Sequence, residues 1–243
     1  MLIKQVTQTL KEWKDFQNDL ALKRIKKDTF NSDFSNLKYI GGCDVSFLND
    51  NGDNFNTGYA TIVILEFPSL KMVHSKSKFF TTDVPYKSGY LSFREYPILL
   101  ELLNELQLEN KIYPQILLVD GCGLFHPRKC GLACTIGILA NLPTIGIGKN
   151  FLVINDQNLT TNWIKSRSSL LCVGESIKLC GKDNFTYGTA TRTSSNSTKP
   201  IFISPGNMIS VDTATKLVLK TCKYRIPEPI RMADQISRNL CKK

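Results

Sequence analysis

The chain has 243 residues, 42% of them hydrophobic, with 31 Lys and Arg against 21 Asp and Glu for a formal charge of +10. That composition supports one sizeable core and, with no compositional shift along the chain, a single domain over residues 1–243. No 18 apolar residues run together and no apolar stretch follows the N-terminal charges, which argues against membrane spanning and secretion.

The excess charge favours an anionic partner and sits mostly near the end, where residues 178–243 hold 12 Lys/Arg and 4 Asp/Glu. A solvated basic surface would give the same count. The eight cysteines include no CxxC pair and several lie in apolar runs, which fits reduced packing thiols in the cytoplasm. With no dense basic cluster, the nucleus ranks second.

In chain order, Val6, Leu10, Trp13, Leu20, Leu22 and Ile25 give residues 2–27 a helical apolar stripe with lysines elsewhere, an N-terminal helical segment (1–37) that packs on the rest. Strand-like stretches at 38–48, 57–67 and 70–81, separated by Asn49-Asp50-Asn51-Gly52-Asp53 and Pro68-Ser69, predict an antiparallel meander. A helix over 91–108, a strand over 115–120, a helix over 131–141 and a strand over 143–148 then imply parallel pairing. Strands at 184–191 and 200–204 flank a loop at 194–199, a helix covers 210–222, and a last helix from about 230 carries Asp234. The fold class is α/β, a mixed sheet flanked by helices.

Four acidic residues stand out. Asp44 interrupts the apolar stretch YIGGCDVSF (39–47) and Asp120 closes the buried-type run QILLVD (115–120) ahead of Gly121 and Gly123. Strand alternation puts Ile40, Gly42, Asp44 and Ser46 on one face, and Gly42 leaves room for a close approach. A capping box with Ser92 is the bland explanation for Glu95, but Glu95 shares a helical face with Leu99, Leu102, Leu103 and Leu106, so its carboxylate points along the buried stripe, where a cation is the preferred partner. Asp234 alone reads as a surface helix residue.

A buried, uncompensated carboxylate costs several kcal/mol. A hard divalent cation is the simplest compensator for several at once, which suggests metal-assisted phosphoryl chemistry. Lys149, ending TIGIGK (144–149), is placed either to neutralise a phosphate or merely to extend into solvent. His126, Cys130 and Cys134, at four-residue spacing, would offer a helix a soft-metal face, but no fourth ligand is spaced to complete it.

The strings GCDVS (42–46), PYKSGYLSFRE (85–95), DGCGLFHPRKCGLA (120–133), SPGNMISVDTA (204–214) and RIPEPIRMAD (225–234) resemble, in order and separation, the endonuclease V family. The resemblance implies a ribonuclease-H-like fold and a Mg²⁺-dependent endonuclease, with Mn²⁺ as an accepted substitute. It would act on inosine-containing single-stranded RNA or DNA. Cleavage would fall at the second phosphodiester bond 3′ to the lesion, leaving 3′-hydroxyl and 5′-phosphate ends.

On matching positions, Asp44, Glu95 and Asp120 would be catalytic metal ligands and Asp234 a further one, with Lys149 and His126 near the cleaved strand. Tyr86 would belong to a wedge stacking on the nucleic acid. Gly89, Leu91, Gly121, Gly123 and Leu132 would form the pocket for the extruded base. Lys87-Ser88 departs from the Ile-Pro of bacterial wedges and resembles the eukaryotic form, and Asn207 and Thr135 replace frequent histidines. The resemblance leaves two alternatives: a non-cleaving inosine-binding module, and a nuclease of the same fold specific for branched or hybrid nucleic acid. A monomer is expected.

Overall fold

The run QILLVD has no polar alternation because its strand is covered on both sides. In the computed structural model, which describes residues 9–31, 33–48, 56–109, 112–154 and 159–242, this strand is β4 (Ile116–Asp120). It lies between β1 (Tyr39–Phe47) and β5 (Thr144–Gly148), parallel to both. β2 (Asn56–Glu66) and β3 (Met72–Thr82) complete the expected antiparallel meander with β1. Beyond β5, the strands β8 (Ile201–Asn207), β7 (Thr186–Thr191) and β6 (Ser176–Cys180) continue the sheet antiparallel, giving the order β3-β2-β1-β4-β5-β8-β7-β6. The expected mixed α/β sheet of ribonuclease-H-like type is therefore present.

Alternate residues of the central strands feed two cores. Ile40, Ile116, Leu118, Ile145 and Ile147 pack with Leu217, Val218 and Ile230 of α5 (Val211–Lys220) and α6 (Glu228–Cys241). Cys43, Leu117 and Val119 pack on the other face with Leu99, Leu102, Leu103 and Leu106 of α2 (Ser92–Leu108) and with Ile136 of α3 (Leu132–Leu139). Burying a Leu or Ile side chain is worth about 1.5–3 kcal/mol, so these two layers fix where β1, β4 and α6 meet.

Several sequence expectations need correction. The N-terminal helix is α1 (Leu10–Leu22), shorter than 2–27, because Thr9 and Glu12 form a capping box that starts it. Its buried residues are Trp13, Gln17 and Leu20, while Leu10, Leu22 and Ile25 are exposed. Val6 and the turn at 49–53 lie outside the described residues. β8 runs past the expected 204 through Pro205-Gly206, accommodated by a register shift opposite Thr144 and Ile145. α4 (Thr161–Ser168) and β6 were not anticipated; α4 buries only Ile164 and Ser168 and β6 only Leu179, too few apolar positions for a period to show. Among the described residues no helix is long and apolar enough to cross a membrane.

Candidate active site

β1 turns Ile40, Gly42, Asp44 and Ser46 towards α6, as alternation predicts. What approaches Gly42 is that helix: a Cβ there would lie 2.2 Å from the Pro229 carbonyl carbon. Pro229 sits in the first turn of α6, where a missing N–H costs no helical bond. The close approach sets α6 against β1, and two of its residues meet Asp44. Ser237, fully buried, donates from Oγ to Asp44 Oδ2 at 2.6 Å, and Ser46 Oγ reaches the same oxygen at 3.1 Å. Asp234, one turn earlier, offers its carboxylate alongside.

Asp120 comes from the carboxyl end of β4, where open α/β sheets leave a crevice. One carboxylate oxygen each from Asp44, Asp120 and Asp234 lies within 4.8 Å of the others. Lys149, just past β5, bridges two of them, with Nζ 2.5 Å from Asp120 and 3.0 Å from Asp234. Arg238 adds a contact to Asp234 at 2.9 Å. Arg225 donates to the carbonyls of Lys149, Lys199 and Pro200, which holds the end of β5 in place. Burial alone would lower the Lys149 pKa, but Asp120 and Asp234 outweigh it and raise it.

The donor set fits a hard divalent ion. It consists of oxygens only, it converges from three separate elements, and a side-chain ammonium already sits among the carboxylates that need a cation. Hydroxyls from Ser46 and Ser237 on Asp44 are the kind of outer support that orients metal-binding carboxylates.

Glu95 lies outside that three-residue cluster but next to it. The alternative capping box is absent: the N-cap of α2 is Leu91, without a side-chain cap, and Ser92 instead accepts from Gln17. Glu95 is buried with the leucines of its face. Burial, then the charges of Asp120 and Asp44, push its pKa up to about 8, with Arg94 opposing. Asp120 rises to about 7, through burial first and an Asp44 hydrogen bond, against the pull of Lys149. Carboxyls crowded in this way hold protons that a bound cation would displace.

This has a definite pH signature. Between the unfolded values near 4 and the folded values of about 7 and 8, the native state binds more protons than the unfolded chain, so stability falls as pH rises. The Tm of the metal-free protein is expected to drop from about pH 5.5 to about pH 8.5, and the increase in Tm on adding Mg²⁺ to be larger at the higher pH. A flat profile in both arms would exclude proton displacement from these carboxyls.

A cavity of about 130 Å³ lies beside the acids, lined by Tyr86, Gly89, Leu91, Gly121, His126 and Leu132 among others. These are six of the residues named from the sequence. Gly123 is not among its lining: its hydrogens face Pro205, whose carbonyl oxygen would stand 2.2 Å from a Cβ. Tyr86 is 70% exposed at the rim.

His126 is buried, its Nε2 donating to Gly89 O at 2.9 Å and its Nδ1 accepting from Arg128 N at 3.3 Å, so both ring nitrogens are engaged. Burial, with Arg128 adding to it, lowers its pKa to about 4, and the ring is neutral. It braces the cavity wall from inside. The helical His126, Cys130, Cys134 face does not exist, because α3 begins only at Leu132. Asn207 binds Ile25 N and Gly137 O at the far end of β5, and Thr135 donates to Gly131 O; both are structural at these positions.

Gln17, Arg128, Ser237 and Arg238 were not singled out from the sequence. A polar residue within the buried α1 stripe was a signal for Gln17, and the three-residue spacing from Asp234 was one for Ser237.

Comparison with known proteins agrees with the motif resemblance. The family model described as Endonuclease V matches residues 18–235. The chain is 40% identical to Endonuclease V of Homo sapiens over 243 residues, covering 97% of this chain and 84% of that protein. The crystal structure of the catalytic domain of the human protein superposes with a TM-score of 0.90 at 37% identity, covering 98% of this chain and 97% of the other. That of Ciona intestinalis Endonuclease V in complex with a 23-mer DNA containing an inosine followed by a ribo-adenosine gives 0.88 at 33%, covering 98% of each.

Proposed function

The chain belongs to the endonuclease V family, and from that premise we propose that it cuts inosine-containing strands with a divalent metal, Mg²⁺ or Mn²⁺. The reading extends to cleavage at the second phosphodiester bond 3′ to the inosine, leaving 3′-hydroxyl and 5′-phosphate ends, on RNA as well as DNA. Residues 1–243 act as one nuclease domain, a monomer in the cytoplasm. The observation that carries the proposal is the convergence of Asp44, Asp120 and Asp234 around the Lys149 ammonium, beside a cavity lined by Gly89, Leu91, Gly121 and Leu132.

In this reading Asp44, Asp120 and Asp234 hold the ion, with Glu95 completing the set. When bound, such an ion activates water and stabilises a leaving oxygen. Ser46 and Ser237 keep the Asp44 carboxylate turned to the site. Lys149 and Arg238, the cations at the edge of the carboxylate cluster, would meet the phosphate of the strand. Tyr86, exposed at the cavity rim, stacks on the neighbouring bases while the altered base enters the cavity lined by Gly89, Leu91, Gly121 and Leu132. Extruding a base from a duplex costs a few kcal/mol, so single strands and mismatches are the better substrates.

The proposal is tested with paired oligonucleotides differing only in inosine or adenosine, as RNA and as DNA, with and without Mg²⁺. Inosine strands are expected to be cut only with metal, and single strands faster than duplexes. Equal cutting of inosine and adenosine removes the base specificity. Binding without any cut favours the non-cleaving module, and indifference to Leu91 substitution favours a branched-substrate nuclease.

A further inference from the structure

Gln17 of α1 is 1% exposed, and each of its polar atoms is occupied. Its Nε2 donates to Ser92 Oγ at 3.3 Å and to Gly89 O at 3.4 Å, and its Oε1 accepts from Arg128 Nε at 2.6 Å. Gly89 and Ser92 both line the base cavity. The same Arg128 donates a second N–H to Gly89 O, and its guanidinium lies over the Tyr90 ring at 4.2 Å. Three donors, from Gln17, His126 and Arg128, thus converge on one carbonyl of a glycine held at φ +78°.

Two consequences follow from this geometry. The Gly89 carbonyl has no acceptor capacity left for a base, because a carbonyl oxygen has two lone pairs and three donors already claim them. The segment from Ser88 to Ser92 is fixed by side chains anchored elsewhere: Trp13 of α1 stacks on Phe93 at 4.8 Å just behind it. α1 is remote in sequence from the rest of the site, and Gln17 lies one residue outside the stretch that the family model matches.

We propose that Gln17, acting through Arg128 and the Gly89 carbonyl, is a positioning residue that fixes the cavity wall and so sets the preference for inosine over adenosine. The inference rests on the proposed inosine reading of the cavity. A cavity wall distinguishes two purines differing at one edge only if it does not yield; a loosened wall accepts both or grips neither.

The test compares the full-length parent, Gln17→Ala and Gln17→Glu. In Gln17→Ala, KM for an inosine strand is expected to rise about tenfold with kcat changed less than about twofold and kcat/KM for the adenosine strand unchanged, so that the inosine-to-adenosine ratio of kcat/KM falls about tenfold. Hydrogen exchange is expected to accelerate at Tyr90 and Leu91 but not in β1 or β4. Gln17→Glu keeps the acceptor for Arg128 and loses the donors to Gly89 and Ser92; it is expected to recover part of the selectivity. An unchanged inosine-to-adenosine ratio in Gln17→Ala, or a fall in kcat alone that tracks a lower Tm, overturns the inference. Unaltered exchange at Tyr90 and Leu91 overturns the clamp itself. A parent enzyme indifferent to the base defeats the inosine reading and this inference with it, whatever the exchange data show.

Discussion

Asp120→Asn is expected to lower strand cleavage by about 10³-fold or more while leaving the protein folded. The magnitude follows from the several kcal/mol that a positioned metal ion contributes to phosphoryl transfer, at 1.36 kcal/mol per factor of ten. Asn keeps the shape of Asp120 at the end of β4, and Lys149 keeps Asp234 as its other partner. The metal-free variant is expected to be at least as stable as the parent above about pH 8, because burial raises the Asp120 pKa and its ionised form is therefore the unfavourable one. Mg²⁺ should no longer raise Tm appreciably. Calorimetry with and without Mg²⁺, next to a cleavage assay, checks both halves. Retention of the Mg²⁺-induced shift together with full turnover would remove Asp120 from the site.

Gly42→Val is expected to cost about 3 kcal/mol of stability or more, and to reduce cleavage further than the loss of folded protein explains. A Cβ at this position falls 2.2 Å from backbone atoms of Pro229, and backbone cannot turn aside as a flexible side chain can. The helix must move away from β1, and with it go Asp234 and the Ser237 hydroxyl that holds Asp44. Denaturant unfolding gives the stability loss, and Mn²⁺ titration the weakened metal affinity of the remaining folded fraction. A variant with parental stability would show that α6 yields at no cost and that the contact does not set the site.

Both changes act on adjacency, which the linear sequence carried unevenly. The order of elements from β1 to β5 could be read because each strand or helix there shows either an apolar period or a short continuous apolar run, with turn residues at its ends. α4 and β6 could not be read, since each buries so little that no period forms. The leucine face favours a buried carboxyl for Glu95, while the spacing from Ser92 also allows a cap. The backbone of Leu91, already helical at φ −55° and ψ −33°, and the Gln17 bond to Ser92 decide for the buried carboxyl. The resemblance groups Gly123 with Gly121 as a pocket glycine, yet the β8 backbone at Ser204 and Pro205 fills the space where a Gly123 side chain would stand, a proximity between segments about eighty residues apart.

By itself the sequence determined the family, the mixed α/β sheet and the identity of unusual acids, because local periods and ordered motifs are properties of neighbouring residues. Only the tertiary structure decided which acids share a centre, that Lys149 sits among them, that His126 braces a wall with both nitrogens engaged, and that α1 reaches the cavity through Gln17. These depend on how β1 and β4 register and how closely α6 approaches. Those distances are set by packing between segments tens to nearly two hundred residues apart, as between Asp44 and Ser237, for which no local pattern exists.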